Sequence, residues 1–102
     1  MNLNIDEELL QSVKKQLGYK WCDDTTNDIL SNYVADGLGF LKIYNPSANF
    51  SDDRLAFSLL VEYVRYALSN ARDDFKINYR EELILFADYG RIEDVSEEKD
   101  SE

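Results

Sequence analysis

Three aspartate doublets are the side chains whose type and spacing suit chemistry: Asp23-Asp24, Asp52-Asp53 and Asp73-Asp74. Adjacent carboxylates can hold a Mg²⁺ ion or divide acid and base work between them. Each doublet also has a plainer reading. The first two fall at helix starts, where capping and the helix dipole account for them. The third lies between two helices, where it caps the second or pairs with Arg72 or Lys76. The partners that a catalytic or metal site needs are missing. The sequence has no histidine, which removes the usual general base, the usual metal ligand and every serine–histidine or cysteine–histidine arrangement. Its single cysteine, Cys22, lacks a second thiol for a disulfide or a zinc site and reads as a small buried apolar residue. Gly37 and Gly39 follow no strand and precede no Lys-Ser/Thr pair, so they do not form a phosphate loop. The residues point to no catalytic constellation, no cofactor and no metal.

Composition narrows the partners. The chain has 102 residues, room for one domain with a modest core. Its formal charge is −10, from 21 acidic and 11 basic residues. Such a chain lacks the clustered Lys and Arg that grip phosphates, and an anionic membrane repels it. The acidity serves solubility, a surface that touches DNA without sticking, or docking on a basic partner. The start, MNLNIDEELL, has neither a positive region nor a long apolar run, and no stretch approaches the ~18 apolar residues of a membrane span. The expectation is a protein that is intracellular or assembled inside a cell.

The elements follow from period and punctuation. Ile5, Leu9, Leu10, Val13 and Leu17 line one face of a first helix, with Lys14 and Lys15 mostly off it and Gly18 closing it. Asn4 is its expected cap. Tyr19 and Trp21 belong to a connector that plugs the core. A second helix starts near Asp23 or Asp24, with Thr25 and Thr26 as alternative caps, and runs to about Ile43 or Tyr44. Gly37 and Gly39 inside it mark a close helix approach or a bend. Asn45-Pro46 ends it. Ser51 is expected to cap the next helix, with Phe50 stapled onto Leu55.

That next helix, about 52–72, is the centre of the chain. Its polar residues Arg54, Ser58, Glu62, Arg65, Ser69 and Arg72 recur at steps of four and three, a narrow stripe on an otherwise apolar helix. Its own chain or neighbouring subunits must cover the rest. Phe75 to Asn78 reads as a link, and Asn78 with Glu81 as a cap. The last helix faces inward through Tyr79, Leu83, Phe86 and Ala87, broadened by Ile84 and Leu85, and Gly90 closes it. The fold class is all-α: a compact bundle of about four helices around a long central one, over residues 1–90. Residues 91–102, acidic with only Ile92 and Val95 as aliphatics, read as a disordered tail. Such a tail is either a solvated end or a segment that orders on a partner.

The chain has seven tyrosines, and Tyr63, Tyr66 and Tyr79 lie on or near the last two long helices. Tyrosines so spaced suit a core or an interface better than base stacking, which also wants a positive groove. Arg65 and Arg72, on a stripe closed in by apolar faces, have the character of interface anchors as much as of plain surface arginines.

The run LLVEYVRYALSNARDDFKINYREELILFADYG, Leu59 to Gly90, resembles the C-terminal half of the small head–tail connector (adaptor) proteins of long-tailed bacteriophages. The matching parts are Tyr63 with Tyr66, Asp73-Asp74-Phe75, Asn78-Tyr79 and Tyr89-Gly90. Asp23-Asp24 with Ile29 matches the family's early helix start. The resemblance implies a non-enzymatic helical subunit, without a cofactor. It assembles into a ring, usually twelvefold, beneath the portal protein, and that ring extends the DNA channel and carries the stopper and tail. The implied site is in the virion neck, after assembly in the bacterial host cytoplasm. DNA would pass through without specific binding. Tyr63, Arg65, Tyr66, Arg72, Asp74, Phe75, Tyr79, Tyr89, Arg91, Ile92 and Val95 are then the expected subunit or portal contacts, the last three through a tail that docks on the portal. The alternative class is an acidic regulatory protein, a DNA mimic occupying a nucleic-acid-processing enzyme.

Overall fold

Gly18 ends the first helix as its type suggests. In the computed structural model, which describes residues 7–19 and 23–89, α1 spans Glu7–Leu17. Gly18 then takes φ +94°, a left-handed conformation that costs a glycine little. Its N–H and that of Tyr19 close onto the carbonyls of Lys15 and Lys14. Leu9, Leu10 and Val13 are buried on the expected face. Lys14 corrects the sequence reading. It is buried too, because its Nζ donates to Asn27 Oδ1 at 2.7 Å across the α1–α2 contact. The apolar stem adds to the core while the ammonium keeps a partner. Asn4, Ile5, Trp21, Cys22, Gly90 and the 91–102 tail lie outside the described residues.

Asp23 caps α2, Asp24–Tyr44, by accepting from the Thr26 N–H at 2.8 Å. Thr25 and Thr26 are not the caps. That donor stabilises the charged carboxylate and holds the Asp23 pKa below its ordinary value of 3.8. A depressed pKa contributes stability that is present above the unfolded value and lost as pH falls through the folded one. Asp23→Asn, which keeps a capping oxygen, should therefore flatten the acid limb of a melting-temperature profile as pH falls below the ordinary carboxylate value of 3.8. An unchanged slope would mean that the cap does not hold in solution.

Leu30, Val34, Gly37 and Leu41 turn inward from α2. A Cβ at Gly37 would stand 2.9 Å from both Leu60 Cδ1 and Tyr63 Cδ1, so the glycine is what lets this helix approach the next so closely. Gly39 is different: nothing lies within 4 Å of the place its Cβ would take. It carries the helix-interior cost of glycine, roughly 1 kcal/mol relative to Ala, with no packing return inside the subunit.

Asn45 stops α2 and then ties down the far end of the chain. Its side chain, 1% exposed, donates through Nδ2 to the Phe86 carbonyl at 3.1 Å. Asn45→Ala should cost about 1–3 kcal/mol, because it removes the donor and leaves that carbonyl unsatisfied in the interior. A urea midpoint equal to the wild type's would show that water replaces the bond.

The turn that follows is built by Asn49, whose Oδ1 accepts from the N–H groups of Ser51 and Asp52. The cap of the next helix is Asp53, not Ser51; Asp53 accepts from the Leu55 and Ala56 N–H groups at 3.0 and 3.3 Å. Phe50 is buried with its ring against Phe86, centroids 6.1 Å apart.

α3, Arg54–Leu68, is shorter than the expected 52–72 element. Asn70 ends it at φ +57°, with Asn70 N–H bonded to the Ala67 carbonyl and Ala71 N–H to that of Tyr66. This is a Schellman closure with asparagine in the usual glycine position. The residues read as a link then form α4, Arg72–Asn78. A fifth helix, α5, covers 80–89. Asn78 ends α4 and does not cap α5. The Tyr79 N–H bonds to the Phe75 carbonyl and the Tyr79 carbonyl accepts from Leu83, so the two helices join at a bend with little interruption.

All regular structure among the described residues is therefore helical, in five pieces. α2 is the longest helix, while α3 packs against α1, α2 and α4. Leu59, Leu60, Val61, Tyr63, Val64 and Ala67 of α3 are buried by the subunit's own chain. Its exposed side is the foreseen polar stripe through Arg54, Ser58, Arg65 and Ser69, with Glu62 half-buried. Arg72 sits on α4. No described helix is long and apolar enough to cross a membrane.

Candidate functional site

The aspartate doublets resolve into local structure. Asp23 and Asp53 are caps, Asp52 accepts from Asn49 Nδ2 at 3.1 Å, and Asp73 and Asp74 occupy the exposed first turn of α4. Among the described residues no group of three or more acid or cysteine side chains is placed to hold a metal ion.

The aromatic residues expected at an interface divide by burial. Phe75 is fully buried, and Tyr63 nearly so. Phe75 is the hub: its ring centroid lies 5.0 Å from Tyr79, 5.5 Å from Tyr63, 5.8 Å from Tyr66 and 6.1 Å from Phe40. Most of these pairs meet edge to face, the arrangement favoured by the ring quadrupole. Their area is spent inside the subunit. Tyr66 and Tyr79 are half-buried at its edge. The Tyr66 hydroxyl accepts from Asn78 Nδ2 at 3.0 Å. Burial first, and then nearby Glu62, push the Tyr79 phenol above its ordinary pKa and keep it neutral.

The two arginines differ. Arg65 pairs with Glu62 one turn back at 3.2 Å, an exposed contact of little energetic weight. Arg72 reaches from α4 to Asp36 of α2 at 3.4 Å, with its guanidinium 5.9 Å from the Tyr33 ring centre. The neighbouring Tyr63 hydroxyl, and then Asp36, hold the Arg72 proton more tightly than usual. Arg72 thus ties two helices together, and both arginines keep half of their side-chain surface in water. Asp74 and Tyr89 are exposed; Arg91, Ile92 and Val95 lie outside the described residues.

The surface with most to offer a partner was not foreseen. Ile43 is 78% exposed, Ile77 72% and Ile84 55%, and Leu85 and Ile29 are also uncovered. Large aliphatics this open gain most from a protein partner. Ile84 and Leu85 were expected to broaden the inward face of α5. Leu83 and Phe86 take that face, and at about 100° per residue the two between them are carried round toward solvent. That phase was available in the sequence; that residues 72–78 form a helix, whose phase turns Ile77 about 200° away from buried Phe75, was not. These exposed aliphatics stand on α2, α4 and α5 with exposed acids and bases around them. No protein-family model, no curated protein and no solved structure matches this chain.

Proposed function

We propose that this protein is a neck adaptor subunit of a tailed phage or prophage that acts by binding alone. In this reading its copies form a ring beneath the portal, extend the DNA channel and carry the stopper and tail. One observation carries the reading: a chain that covers its central helix by itself still leaves Ile43, Ile77, Ile84 and Leu85 open. A subunit that must meet both its neighbours and a portal has a use for such side chains. The resemblance over Leu59–Gly90 supplies the assembly. The charge of −10 supports it as well, since a ring multiplies the charge around a channel through which DNA slides without binding.

The test mixes the protein with purified portal, or with DNA-filled tailless heads, and images the vertex by electron microscopy. A ring added below the portal is expected. No added density, with the protein monomeric by light scattering, would favour the regulatory reading, in which exposed acids such as Asp73, Asp74, Glu81 and Glu82 imitate phosphates.

A further inference from the structure

We draw no further inference here: the strongest candidate, the exposed aliphatic patch of Ile77, Ile84 and Leu85 on α4 and α5, stands among exposed bases (Lys76, Arg80) as well as acids (Glu81, Glu82), and nothing in the structure shows what covers it.

Discussion

Phe75→Ala should lose about 3–5 kcal/mol of stability, a large share of what a domain of this size holds. Phe75 is fully buried and its ring meets those of Phe40, Tyr63, Tyr66 and Tyr79. Truncation removes the apolar area of the ring and leaves a cavity that four stiff neighbours cannot fill by rotating. The effect also reaches across the fold, because those neighbours come from α2, α3 and the bend between α4 and α5. Equilibrium urea unfolding followed by far-ultraviolet circular dichroism would measure it. Phe75→Leu, which keeps much of the volume, should cost clearly less. If Phe75→Ala unfolds within about 1 kcal/mol of the wild type, the aromatic hub is not the centre of the folded protein in solution.

The two glycines of α2 should respond to one substitution with opposite signs. At Gly37 an added methyl meets Leu60 Cδ1 and Tyr63 Cδ1 at 2.9 Å, both on buried side chains. Either α2 moves off α3 or the tyrosine ring shifts into Phe75, so Gly37→Ala should destabilise by about 1–3 kcal/mol even after the gain in helix propensity. At Gly39 only the propensity remains. Gly39→Ala should stabilise the isolated subunit by up to about 1 kcal/mol and raise its melting temperature. Paired thermal melts at low protein concentration would compare the two. Equal effects at both positions would mean that α2 crosses α3 elsewhere than at Gly37.

The stabilising outcome at Gly39 bears on function as well. A stabilising outcome would show that Gly39 is not held by packing within the subunit. The regulatory reading would need the acids to carry the binding, leaving the exposed aliphatics without a role.

Much of the architecture is legible in the chain because it is written within a few residues. The amphipathic period of Glu7–Leu17, the left-handed glycine at 18, the stop at Asn45-Pro46 and the polar stripe of α3 each depend on neighbours one turn away. The all-helical class follows from them. The errors have a common source. Ser51 and Asp53 are both good caps, and the Asn49 turn, not the cap residue, decides between them. Asn70 can continue a helix or end it, and it ends this one, so that Phe75 falls on a separate short helix aimed at the core.

Which apolar side chains stay uncovered was only partly legible: the phase of α5 turns Ile84 and Leu85 outward, but that of α4 needed residues 72–78 to be read as a helix. Phe75 and Ile77 are two residues apart and almost equally apolar, yet one is the hub of the core and the other stands in solvent. The sequence by itself determined the helical class and the bounds of α1 and α2, because hydrogen-bonding period and capping are local. Only the tertiary structure decided which faces they spend on one another, because burial depends on how distant segments cross. The open aliphatics of α2, α4 and α5 are the remainder of that choice.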